Sequence, residues 1–187
     1  MWHSKTSAAQ QIGHISVKGL SDLIALGYIP AGTDHGRPGG HAVISDQTID
    51  FLKNMPTVVP DYPATVVRPS FGSDFIEPYR FGIERFNLMH QSVVEQMLSV
   101  GGQWKNTEEY AERIVETGRF LIMSRQIVLA QYGVSGINRK LSNSPAQRTQ
   151  GRVVFDLFPL APGEGEDLVN CRIPSVKMNQ APRIQFG

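Results

Sequence analysis

Four prolines crowd into residues 55–74, MPTVVPDYPATVVRPSFGSD. Each proline lacks a main-chain donor and fixes its own φ, so no helix runs through such a stretch. It reads as an extended, Pro-rich linker that splits the chain. Before it, residues 5–54 carry helix and turn signals at close spacing. After it, residues 75–133 read as strongly helical, and residues 134–187 are rich in Gly, Pro, Asn and Ser with β-like runs. The 187 residues suffice for one ordinary domain, or for a small domain plus a second region. The expected class is α+β.

The helical region offers two candidates. One runs from about Pro78 to Val100, with Ile83, Phe86, Met89, Val93, Met97 and Val100 at helical spacing, and stops at Gly101–Gly102. The other starts at an Asn106 or Thr107 cap. Glu108 and Glu109 suit the positive end of its dipole, and it continues through Leu129 to Gly133. Together they predict an antiparallel helical hairpin. Between Phe120 and Leu129 the second helix is apolar on more than one side. That excess needs a further surface, either within the chain or on another copy. Beyond it, GRVVFDLFPL and LVNCRIPSVKM predict a β-hairpin, with a third extended piece at RIQF.

The segment QIGHISVKGLSDLIALGYIPA, residues 10–30, places Gly13 between two short apolar-periodic stretches. Thr6 or Ser7 can cap the first helix, and Gly13 suits its left-handed end. Ser16 can cap the second, which Gly27 ends. Ala9, Ile12, Ile15, Leu20, Leu23 and Ile24 can meet between them. Tyr28–Ile29 and Ala42–Ile44 can pair as strands around the loop GTDHGRPGG, and Ser45 can cap a third helix carrying Ile49 and Leu52.

This order of helix, turn, helix, strand, glycine-rich wing, strand and helix resembles the winged helix-turn-helix of the excisionase and MerR-like DNA-binding families. Ala9, Ile12, Gly13, Ser16, Val17, Leu20, Leu23, Ile24, Gly27, Ile29, Val43, Ile44, Ser45, Ile49 and Leu52 carry the likeness, over about residues 5–54. The resemblance implies double-stranded DNA as partner, with the second helix in the major groove. It then singles out Lys5, Ser16, Lys18 and Ser21 around that helix, and His35, Arg37 and His41 on the wing.

Charge shapes this expectation. Residues 1–56 carry four basic and four acidic side chains, with Asp22 on the proposed groove helix. A neutral head suits weak contacts combined by multivalency, so a homo-oligomer is expected, built through the helical region. No acid occurs between Glu116 and Asp156. Arg139, Lys140, Arg148 and Arg152 in that span are candidates for a second nucleic-acid contact, or for a solvated connector.

Other chemistries find little footing. The single Cys171 reads as a buried small hydrophobe, and the histidines lack metal-ligand spacing. GTDHGRPGG lacks the Lys-Ser/Thr ending of a phosphate-cradling loop. No nucleophile–histidine set suggests catalysis. The sequence therefore predicts a non-enzymatic, cofactor-free, cytoplasmic protein with no membrane partner. Its best role is a sequence-specific transcriptional regulator, or a mobile-element or phage DNA-binding factor. Two alternatives stand beside it. One is a recognition subunit similar to viral small terminases, which share the order of head, helical hairpin and β segment. The other is an adaptor whose winged helix contacts protein.

Overall fold

The computed structural model describes residues 1–34, 41–69, 86–102, 104–142, 152–160, 167–174, 176 and 183–185. Helices and strands both contribute, so the fold is α+β. The chain divides into two compact units. One is Met1–Pro56 with Asn87–His90, and the other is Thr57–Phe86 with Gln91–Gly187.

In the first unit, strand β1 (Trp2–Ser4) leads into α1 (Lys5–Ile12). The cap of α1 is Ser4, not Thr6 or Ser7: its hydroxyl accepts from the Ser7 amide. Gly13 closes α1 at φ 81°. Ser16 caps α2 (Val17–Ala25) by accepting from the Gly19 amide. At the far end of α2 the Tyr28 amide donates to Leu23 and the Gly27 amide to Ile24, with Gly27 at φ 68°. That pairing satisfies two of the last carbonyls and needs a left-handed residue. Strands β2 (Gly32–Asp34) and β3 (His41–Ser45) follow, then α3 (Asp46–Lys53), capped by Ser45.

The expected strand at Tyr28–Ile29 lies instead at Gly32–Asp34, because the helix-closing turn consumes Tyr28. Strand β1 was not foreseen at all. It completes a three-stranded antiparallel sheet in the order β1-β3-β2. The core is Ala8, Ile12, Ile15, Leu20, Leu23, Leu26, Ile29, Ile44, Ile49 and Leu52. Ala8 takes the buried position assigned to Ala9.

The same unit recruits a distant strap. The Leu88 amide donates to the Leu26 carbonyl at 2.8 Å, and Asn87 Nδ2 donates to the Ala25 carbonyl at 2.9 Å. Asn87 Oδ1 accepts from the amides of Met89 and His90, which folds the strap into a turn. This side-chain competition keeps residues 86–92 out of a helix.

The predicted helical hairpin is therefore corrected at both ends. Helix α4 spans only Val93–Gly101, started by a capping box in which Ser92 and Glu95 exchange hydrogen bonds. Residues 70–85, where the expectation began, lie outside the described residues. After β5 (Trp104–Lys105), helix α5 (Glu108–Glu116) takes Thr107 as its cap and ends before Gly118 at φ 68°. The apolar run that follows is two strands, β6 (Arg119–Ser124) and β7 (Ile127–Ile137). They turn at Arg125 and Gln126, both with positive φ. A run apolar on all sides is as much a strand buried on both faces as a helix, and here two residues in the left-handed region close a tight hairpin.

The linker is corrected too. Its residues Ala64–Val67 form β4, fully buried, pairing parallel with β6. Prolines 60, 63 and 69 flank this strand rather than interrupt it. After α6 (Arg139–Ser142) and β8 (Arg152–Val153), which pairs with β5, strand β9 (Phe155–Pro159) pairs with β7. Strand β10 (Arg183–Gln185) pairs with β4. The sheet order is β10-β4-β6-β7-β9. LVNCRIPSVKM is thus not the second arm of a hairpin. Its Leu168, Ile173 and Val176 pack with Ala64, Val66, Leu121, Met123 and Val128 on one sheet face.

The alternate positions face the helices. Tyr132 on β7 donates its hydroxyl to Gln96 Oε1 on α4 at 2.7 Å, and Gln96 Nε2 donates to the Gln91 carbonyl. Burial pushes the Tyr132 phenol pKa upward. Phe120 packs its ring 5.3 Å from that of Phe155. The surplus apolar surface of Phe120–Leu129 is thereby covered within the chain.

Candidate nucleic-acid interface

Helix α2 buries Gly19, Leu20 and Leu23 and leaves Ser16, Val17 and Lys18 exposed in its first turn. The Ser16 side chain is committed to capping the helix. Lys18 stands exposed on this turn, next to the positive end of the helix dipole. Lys5 and Ser21 come together, with Lys5 Nζ donating to Ser21 Oγ at 3.0 Å and Ser21 Oγ donating to the Val17 carbonyl. This contact clamps the start of α1 against the middle of α2. Both groups serve the corner geometry, which leaves Lys18 as the helix's most accessible cation.

His41 opens β3 opposite Asp34 and is exposed. His35 and Arg37 lie outside the described residues. His3, on β1, donates through Nε2 to Asp46 Oδ1. The Met1 amine at 2.6 Å and the His3 imidazole hold the Asp46 carboxyl below its ordinary range. This pins β1 to the first residue of α3.

The second basic group disperses. Arg139 donates to Glu108 at 2.7 Å and lies 3.9 Å from Glu112, and the Glu108 contact raises its pKa. A guanidinium engaged with carboxylates of α5 has less to offer a phosphate. Arg148 and the side chains of Lys140 and Arg152 lie outside the described residues. The acid-free span therefore hides a partnership with carboxylates that precede it in sequence.

Sequence reasoning missed Trp2, half of whose surface is open, and Asn87, which closes the far end of α2. A single tryptophan before the first helix carried no periodic signal. Among the described residues, no group of three or more potential metal ligands gathers, and no helix is long and apolar enough to cross a membrane. Compared with family models, with curated proteins and with solved structures, the chain matches none. The packaging-subunit alternative leaned on a helical hairpin after the head. The helices found there are the short α4 and α5, and residues 119–137 form a β-hairpin.

Proposed function

We propose that the Met1–Pro56 unit is a winged helix-turn-helix head that binds duplex DNA through α2, in a non-enzymatic regulator or mobile-element factor. The observation that carries this reading is the α1–α2 corner. Gly13 turns the chain in a left-handed conformation, Ser16 restarts it, and the Lys5–Ser21 clamp fixes the crossing while Lys18 stays open. The antiparallel β2 and β3 pair between α2 and α3 supports reading that segment as a wing, within a sheet that β1 extends to three strands.

Lys18→Ala tests it. On a site selected from random duplex DNA, the loss is expected to be about 1–3 kcal/mol, and smaller on unselected duplex. If affinity for both stays unchanged across a salt titration, the head does not use this helix on DNA. Protein contact then becomes the better reading. One observation already favours that second reading: Phe51 on α3 is exposed, with its ring 6.1 Å from Tyr28.

An oligomer would combine such neutral heads. With the Phe120–Leu129 surplus covered, the surface that suits it is the outer row of α4. Val93, Val94 and Leu98 are 49%, 60% and 37% exposed. The three side chains are apolar and the neighbouring Glu95 carboxylate is turned onto Ser92, so a second copy offers the row a matching apolar face. Sedimentation of the full chain should give at least a dimer, and Leu98→Glu should shift it to monomer. A wild-type monomer at micromolar concentration would remove the multivalency argument.

A further inference from the structure

The sheet of the first unit has two unlike faces. Ile44 points to the helices and is fully buried. The register pairs Ser4 and Gly32 with Val43, and Asp34 with His41, which places these residues and Trp2 on the other face. That face forms a cleft of about 630 Å³ lined by Trp2, Ser4, Gly32, Thr33, Asp34, His41 and Val43. Its size falls in the range of small-molecule sites, roughly 300–1,000 Å³. Trp2 is 58% exposed although its indole lies against the backbone of Gly32. A Cβ on Gly32 would sit 2.9 Å from the indole ring, so a larger residue there would push the ring from its present place.

We propose that this cleft binds a flat nitrogen heterocycle of the nucleobase type. An indole face offers stacking to any planar ring. The polar lining supplies both kinds of partner: the Ser4 hydroxyl, which keeps its O–H to donate while it caps α1, the imidazole of His41, and the carboxylate of Asp34. A carboxylate accepts more than one donor, so Asp34 can serve a ligand beside its own neighbours. A ring bearing both N–H donors and ring or carbonyl acceptors uses this whole set. An alkylammonium ion would use the acceptors alone and would face the His41 N–H. The ligand is a free nucleoside or a base in a single strand, and the stacking chemistry is the same for both. The site shares His41 with the wing of the duplex reading but does not depend on Lys18.

The two tryptophans make the test direct. Trp104 is buried, its indole N–H donating to the Val100 carbonyl at 2.7 Å, so its signal serves as an internal reference. Nuclear magnetic resonance of the full chain follows both indole N–H signals during titration with guanosine, adenosine and cytidine. Oligonucleotides of the same bases and tetramethylammonium form the other arms. The Trp2 signal should shift saturably with at least one nucleoside while that of Trp104 stays still. Asp34→Asn and His41→Ala should each weaken the midpoint about fivefold or more, a loss on the scale of one hydrogen bond. An oligonucleotide that saturates Trp2 well below its own nucleoside identifies a single strand as the source. Equal midpoints identify the free nucleoside. Saturation by tetramethylammonium but by no nucleoside overturns the proposal, as does a Trp2 signal unmoved at about 5 mM, weaker than the millimolar end of affinities. A Lys18→Ala chain should retain the Trp2 response, which separates this outcome from that of the duplex reading.

Discussion

Phe120→Ala is expected to remove about 3–5 kcal/mol of stability, the usual range for deleting a core phenylalanine. The residue is fully buried on β6, opposite Tyr132 and against the Phe155 ring. Strands β7 and β9 thus both lean on one side chain of β6. Neighbours held by the β6–β7 and β7–β9 ladders cannot collapse freely into the space, so little of the loss should be recovered. Many domains are stable by only about 5–15 kcal/mol, so this variant should sit near its threshold. The denaturant midpoint measures it. A shift worth less than about 1 kcal/mol would mean that the site repacks, against the range for such deletions.

Gly27→Val is expected to cost about 2–5 kcal/mol, from a left-handed conformation worth roughly 1–2 kcal/mol together with overpacking. Gly27 holds φ 68°, and a Cβ there would lie 2.7 Å from Met89 Cβ and 2.8 Å from the Met89 amide nitrogen. The strap must then move, which endangers its bonds to Ala25 and Leu26. Gly13→Ala is the control. Gly13 has φ 81° but open space around the added carbon, so its cost should be near 1 kcal/mol. Equal midpoint shifts for the two variants would show that the strap adds nothing at Gly27.

The first unit was largely legible because its signals are local. Ser16 and Ser45 cap the next residues, and Gly13 and Gly27 end helices a few residues away. Strand β1 escaped notice since Trp2–Ser4 is too short to show alternation, and only its pairing with β3 makes it a strand. The second unit defeated local reading for the opposite reason. Residues 119–130 are apolar on every face because the sheet is covered on both sides, and such a run has no period to distinguish helix from strand. Its β4 neighbour hid among prolines, though the prolines only bracket it. Of the candidate contacts, Lys18 needed nothing but helix position. The Lys5–Ser21 clamp and the Arg139–Glu108 pair join residues that are 16 and 31 apart, beyond any spacing rule.

The strap also sets a clock on synthesis. Helix α2 is complete once Ala25 has been added, but Asn87 and Leu88, which take its last carbonyls, emerge some 60 residues afterwards. At about 5–20 residues per second that is a delay of roughly 3–12 s. During it the nascent head has the Ala25 and Leu26 carbonyls answered only by water, while Leu23 and Ile24 are already served by the Tyr28 and Gly27 amides. A chimera that borrows residues 1–56 would keep that immature end for good.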